Sequence, residues 1–381
     1  MKRAGLWMHV WDVWSDGLDV VCGYAHDAGL THLYPAVAYH AGWFIHPHSR
    51  GRRVWMPEDG VVYFRPDPEI WADSRVQPVV SRLCAEEDWL ARLGQSGERH
   101  GLGLSAWTVC CHNTRLGTDY PELTVENCFG DRYPHALNPS HPDVRAYLAA
   151  LVRNLARCYP LHAVQLESPA YQGFRHGHHH ERTSVVMDTV AQRLFDLSFA
   201  PTDLAMARAA GIDGARLRSV VAERLQEYFD LAPERPAWWP ANWDEAEEQM
   251  PCLRRYLLAQ NTIVEALRES CRSGLDGTAT VLEGLGYGSQ YATVTIGCYG
   301  LGAAQVASRV SEARRHLEPG QELQVGLRVG FGDVPSAAAL AEIVAAVDEA
   351  GADGVLFYNY SEMSRANLTW IGPALEGRVS R

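Results

Sequence analysis

Short apolar runs with period-two alternation recur along the chain. Most are followed by segments whose apolar residues repeat every three to four positions. The runs are LWMHVW (6–11), THLYPAV (31–37), LGLSAWTV (102–109), HAVQLE (162–167), TATVLE (278–283), ATVTIGC (292–298), LQVGLRV (323–329) and GVLFYNY (354–360). Between them, Val144, Leu148, Leu151 and Leu155 share one face of a helix over 142–158, with Ser140 placed to cap it and Pro142 in its first turn. Leu340, Ile343, Val344 and Val347 do the same over 335–350, with Gly351 as the stop. Helical patterns also cover 302–317 and 252–273, and a helix–Gly–strand junction appears as AGLTHLYP (28–35) and AGADGVLFY (350–358). Strand alternating with helix implies parallel strands and right-handed crossovers. Eight such units predict an α/β protein with one closed (β/α)8 TIM barrel over 1–381. No GxGxxG follows the first strand and no GxxxxGK[ST] occurs, so an open nucleotide-binding sheet is unsupported.

Two connections are too long to be simple links. One is the loop 38–80 after strand 2. The other is 168–275, a helical insertion between strands 4 and 5 that takes in AGIDGARL (210–217) and the Trp-rich RPAWWPANW (235–243). Long segments after barrel strands usually build the active site. Trp238 and Trp239 are candidates for a lid or a subunit contact.

Alternation also assigns side chains. Leu6, Met8, Val10, Val164, Leu166, Val325, Leu327 and Val329 face outward. Trp7, His9, Trp11, Ser105, Trp107, Gln165, Glu167 and Arg328 face the lumen. A sealed core has no need of converging Trp, His, Glu and Arg, because a buried carboxylate is costly unless paired or wet. A sugar pocket uses all of them, since indoles stack on sugar rings and carboxylates bond hydroxyls.

Composition narrows the function. Of 381 residues, 47% are aliphatic, aromatic or Cys and 21% are charged, which is globular. Lys and Arg number 34 against 46 Asp and Glu, a formal charge of −12, so nucleic acid and anionic membranes are disfavoured partners. Nine cysteines without a CxxC pair suggest reduced thiols in a cytoplasmic protein. The opening GLWMHVWDVW is broken by His9 and Asp12 and lacks a small-residue cleavage site, so it does not read as a signal peptide. The charge-free stretch 284–308 is too rich in Gly for a membrane span. The expected partner is a small carbohydrate, with no cofactor; a homo-oligomer is left open.

Glu167 ends strand 4 and Glu283 ends strand 5 in this reading. Neighbouring strands lie about 5 Å apart, so the two carboxyls would stand roughly 5–10 Å apart, a range that serves both retaining and inverting glycosidases. Glu283 is expected as proton donor and Glu167 as nucleophile; the bland alternative is that either pairs with an Arg such as Arg328. Asp333 orients substrate, replaces Glu283 or caps a helix, Asp12 binds hydroxyls or is a turn residue, and Glu362 falls in a solvated loop. Expected substrate contacts are Trp7, His9, Trp11, His40, Trp43, Trp107, Gln165, Tyr287, Arg328, Asp333 and Asn359, with Tyr299, Tyr358 and Tyr360 near the same strand ends. His46 and His48 share the loop with His40, and RHGHHHE (175–181) carries a histidine cluster. Rival readings are a metal-dependent hydrolase or sugar isomerase using His9, His40 or His176–His180, and a non-catalytic sugar-binding barrel.

With those segments in view, the chain resembles the uncharacterised bacterial glycoside-hydrolase-like TIM-barrel proteins. The resemblance rests on LWMHVWDVW (6–14), PHSRGRRVWMPEDGVVYFRPD (47–67), ENCFGDRYPHALNPSHPDVRAYL (126–148), VQLESPAYQGFRHGHHHE (164–181) and GVLFYNYSEM (354–363). It implies a (β/α)8 barrel that hydrolyses glycosidic bonds, with Glu167 carried by the strand-4 segment. Many such proteins look secreted; the absence of a leader here shifts the expected substrate towards a small intracellular glycoside. Carboxylates after strands 4 and 5, as in alpha-amylase-like barrels, fit better than strands 4 and 7, since strand 7 ends in Arg328.

Overall fold

A computed structural model describes residues 1–49, 51–175 and 184–380. The histidine run at 176–180 therefore lies outside the described residues. The chain divides into two compact units. Met1–Val109, Leu148–Glu167 and Cys271–Arg381 form one, and Cys110–Tyr147 with Ser168–Ser270 form the other. The second unit thus takes in a segment after strand 3 as well as the insertion after strand 4.

In the first unit eight parallel strands close into the (β/α)8 barrel. They are β1 (Arg3–His9), β2 (His32–Tyr39), β3 (Gly103–Val109), β4 (Ala163–Glu167), β5 (Val281–Leu285), β6 (Thr293–Gly297), β7 (Glu322–Arg328) and β8 (Gly354–Tyr358). Each pairs with its neighbour in sequence, and β1 pairs with both β2 and β8. Two strand ends differ from expectation. β1 stops at His9 because Asp12 Oδ2 accepts the His9 N–H at 2.8 Å, which turns the chain into a helix, Val10–Asp16. Trp11 therefore rides on a helix, outside the strand alternation. β5 starts only at Val281, because Asp276 and Gly277 take positive φ (50° and 72°) and the turn after the preceding helix uses up 275–278. Glu283 is consequently mid-strand, not at the strand end. The link from β5 to β6, 286–292, contains no helix.

Outward-facing Leu6, Met8, Val164, Leu166, Val325 and Leu327 are buried, as alternation requires. The lumen is filled rather than hollow, and glycines make the room. A Cβ on Gly326 would stand 2.8 Å from the Trp7 ring, and one on Gly5 2.5 Å from Leu356. Polar groups fill the rest in pairs. Trp7 Nε1 donates to Gln165 Oε1 at 2.7 Å, and Gln165 Nε2 donates to Glu283 Oε2 and Thr295 Oγ1, each at 3.4 Å. Gln324 Nε2 donates to the Tyr34 hydroxyl at 3.2 Å. At the N-terminal ends of the strands, Arg3 donates to Glu283 Oε1 and Thr293 Oγ1, each at 3.1 Å, and pairs with Glu322. Glu283 is fully buried in this ion pair; burial lifts its carboxyl to about 7, although the Arg3 charge opposes the rise.

The second unit has its own core, in which Leu194, Phe199, Val221, Leu225, Leu253 and Tyr256 pack together. Its buried Asp203 accepts from Asn138 and Tyr171 at 2.7 Å each and from Ser198 at 2.5 Å. Trp239 packs on Tyr228 with ring centroids 4.4 Å apart and donates to Asp188, which sets it against this core as a partly buried residue. All nine cysteines are free. No helix among the described residues is long and apolar enough to cross a membrane.

Removing one partner of a buried ion pair strands the other charge, typically at a cost of about 3–5 kcal/mol. Arg3→Met is expected to lose about that much in urea unfolding at pH 8. The loss should be smaller at pH 5, where the abandoned Glu283, its pKa raised, takes up a proton. Equal losses at both pH values would contradict the pairing.

Candidate active site

The C-terminal strand ends of the barrel unit bring two carboxyls to one aromatic cluster. Glu167 is the last residue of β4. In the β3–β4 register Trp107 lies beside Gln165, one pleat below, and its indole N–H donates to Glu167 Oε2. Burial raises the Glu167 carboxyl, and the Trp107 hydrogen bond only partly offsets this. The β2–β3 register slips between Ala36 and Ala38, and this bulge precedes Tyr39, which meets Trp107 edge-on with centroids 5.1 Å apart. Tyr358, ending β8, meets Trp107 edge-on at 6.0 Å, and Tyr299, after β6, lies 6.1 Å from Tyr358.

The second carboxyl is Glu362. After β8, Asn359 caps a single turn, Tyr360–Glu362: its Oδ1 accepts the Glu362 N–H at 3.1 Å and its Nδ2 donates to Glu362 Oε2 at 2.8 Å. Glu362 is thereby held half-buried beside Tyr358, contrary to the solvated loop expected for it. Burial pushes its carboxyl up to about 7, against hydrogen bonds from Tyr358 and Asn359 and the charge of Arg328. Both Glu167 and Glu362 act electrostatically on the hydroxyls of Tyr39 and Tyr358, so these two tyrosines are shared neighbours of the two carboxyls.

Arg328, ending β7, is clamped by Asp333 in a two-point ion pair of 2.7 and 3.0 Å, and its guanidinium lies over the rings of Tyr299 (5.3 Å) and Phe331 (4.9 Å). Phe331 takes φ 62°, a left-handed conformation costly for a bulky side chain and one that concentrates at functional sites. The cap of the helix Ala337–Glu349 is Ser336, so Asp333 serves Arg328 instead.

Several expected contacts fall elsewhere. Glu283 and Gln165 are fully buried within the lumen and offer nothing to a ligand. Trp7, Trp11 and Trp107 are at most 3% exposed, so their faces are covered by protein, not open to sugar. His9 is buried, stacked on Trp11 at 4.0 Å and bonded through Nδ1 to Ser361, and burial holds its pKa well below the usual range. His40 is half-buried on Tyr39, with Nδ1 bonded to the Ala41 carbonyl, while Trp43 is 64% exposed. Tyr287 sits on the helix-free β5–β6 link beside His316, not with the two carboxyls. A separate cavity of about 450 Å³ is lined by Trp11, Trp14, Trp55, Tyr63, Trp89 and Glu58 and includes neither Glu167 nor Glu362. The donor atoms of Asp16, His46 and His48 lie within 4.8 Å of one another, a group among the described residues that could hold a metal ion. Sequence alternation missed Glu362 and Tyr39; the signal for Glu362 is its place four residues past the end of β8.

No protein-family model matches the chain, and no curated protein does. Solved structures match it in fold and weakly in sequence. The glycoside hydrolase domain of PgaB (BpsB) from Bordetella bronchiseptica aligns over 100% of both chains at 12% identity, with a TM-score of 0.58. Alpha-L-fucosidase isoenzyme 2 from Paenibacillus thiaminolyticus aligns over 98% of this chain and 49% of its own at 10% identity and TM-score 0.59, so this chain spans about half its length. The catalytic domain of a beta-amylase from Paenibacillus polymyxa aligns over 100% of this chain and 99% of its own at 10% identity and TM-score 0.53. The shared feature is the fold of TIM-barrel glycoside hydrolases.

Because Tyr358 lowers the Glu362 pKa, Tyr358→Phe is expected to move the Glu362 titration above about 7. Carboxyl carbon-13 NMR reads this directly, with Glu362→Gln identifying the resonance. An unchanged or lower midpoint would show that the tyrosine does not hold the carboxyl.

Proposed function

We propose that this protein hydrolyses a small glycoside, with Glu362 as proton donor and Glu167 as nucleophile or water-activating base. One observation carries the reading: two desolvated carboxyls share the Tyr39–Tyr358 pair at the C-terminal strand ends, where barrel enzymes place their chemistry. The similarity to glycoside hydrolase barrels supports the same reaction class at the level of fold.

The roles follow from the surroundings. A general acid works best with a pKa near the working pH, and Glu362 at about 7 is close to half protonated there. Glu283 has a similar value, so pKa alone does not choose between them. Access does: Glu283 is fully buried and Glu362 is not. Glu167 accepts the Trp107 N–H, which partly offsets the rise that burial gives its carboxyl and orients it to attack or to activate water. Tyr299, 42% exposed, offers a ring face for a sugar, and Arg328, pinned by Asp333, presents its remaining N–H groups to hydroxyls.

The test uses nitrophenyl and unactivated glycosides of fucose, galactose, glucose and N-acetylglucosamine. Glu167→Gln is expected to abolish turnover of the cleaved sugar with any leaving group. Glu362→Gln should lose roughly 10²–10⁴-fold on unactivated glycosides but little on dinitrophenyl glycosides, whose leaving group needs no proton. Wild-type kcat on unactivated substrate should fall as pH rises through about 7, as Glu362 loses its proton, and Glu362→Gln should lack that limb. Full turnover by Glu167→Gln would sink the proposal.

A further inference from the structure

The barrel unit holds a second cluster that the glycosidase reading does not use. Asp16 closes the helix Val10–Asp16, and His46 and His48 lie in the segment after β2. His46 Nε2 and His48 Nε2 are 3.1 Å apart, and Asp16 Oδ2 is 3.5 Å from the first and 3.6 Å from the second. Three donor atoms thus form a nearly equilateral triangle. In tetrahedral zinc sites with bonds of about 2.0–2.1 Å, adjacent ligand atoms are about 3.3 Å apart. The triangle already has that size.

The surroundings fix two of these donors, His48 and Asp16, while His46 Nδ1 has no hydrogen-bond partner among the described residues. His48 Nδ1 is bonded to the Met363 carbonyl at 2.7 Å, which places the proton on Nδ1 and leaves the Nε2 lone pair facing the triangle. The Tyr360 hydroxyl donates to Asp16 Oδ2 at 3.2 Å and Ser49 donates to Oδ1 at 3.3 Å, orienting the carboxylate. The Tyr360 ring packs edge-on against His48 at 4.7 Å and His46 at 6.1 Å. Both imidazoles are buried, and Asp16 is 13% exposed, towards a cavity of about 470 Å³. Arg365, which donates to the His48 carbonyl at 3.1 Å and also lines that cavity, is a nearby cation that opposes a metal.

We propose that Asp16, His46 and His48 bind one divalent transition-metal ion, zinc being the probe of choice, with the remaining coordination position open to the cavity. Two imidazoles and one carboxylate select a transition metal over magnesium or calcium, which take oxygen donors. Three protein ligands with an open position match exchangeable or catalytic sites rather than closed structural ones. None of the three ligands is Glu167 or Glu362, so the site stands whether or not the glycosidase reading does.

The experiment is zinc titration of the EDTA-treated 381-residue chain by calorimetry, followed by X-ray absorption on the zinc-loaded wild type. The expected result is one zinc per chain at this site with a first shell of two imidazoles and oxygen donors. Asp16→Asn and His48→Ala should each weaken binding by more than roughly 100-fold, since even outer-shell changes cost 10–100-fold. His178→Ala/His179→Ala should leave it unchanged. No uptake by the wild type, a shell with sulfur or with three or more imidazoles, or loss of binding only in the His178/His179 variant would overturn the proposal. The absorption spectrum needs no variant, so a misfolded mutant does not spare it.

Discussion

A single guanidinium makes the interior of this barrel viable. The lumen contains Glu283, Gln165, Gln324, Tyr34 and Thr295, and a carboxylate among them would be prohibitively costly without a compensating charge. Arg3 supplies that charge from the N-terminal ends of the strands and shares it with Glu322. Its hydrogen bonds continue upward through Glu283 to Gln165 and from Gln165 to Trp7, so a polar layer is tied to the aromatic layer above it. Trp7 in turn packs against Trp107 at 6.3 Å and Tyr358 at 6.0 Å, the two rings nearest the candidate carboxyls. A continuous stack of contacts thus links Arg3 to the rings that hold Glu167 and Glu362.

The same stack separates carboxyls that look alike chemically. Glu283 and Glu362 are both lifted by desolvation to about 7. One is an internal strut paired with Arg3; the other is half-buried and reaches its partners through Tyr358 and Asn359. A raised pKa marks burial, and burial serves structure as readily as catalysis. What distinguishes Glu362 is its half-exposed edge next to tyrosines that it shares with Glu167, with the Arg328–Asp333 pair as a further polar neighbour.

The barrel was legible because strand alternation recurs eight times with helix periodicity between most of the strands, and an error of two residues at one strand end leaves the topology untouched. The site was less legible. Alternation says which way Trp7, Trp107 and Gln165 point but not how deep they lie, and all three are lumen filling rather than ligand surface. Glu283 looked terminal because the turn at 275–278 cannot be separated from a strand by composition. Glu362 looked solvated because its burial comes from a one-turn helix capped by Asn359 and from tyrosines on β2 and β8, contacts that no local pattern records. Asp16 and His46 are thirty positions apart and meet only because β1 and β2 are neighbours.

The central claim is that a sugar occupies the space served by Glu167 and Glu362. The most direct measurement is a crystal structure of the protein soaked with a mixture of monosaccharides. Sugar density is expected within hydrogen-bonding reach of both carboxyls, with a ring against Tyr299. Density only in the cavity lined by Trp14, Trp55 and Trp89, with the two carboxyls untouched, would contradict it.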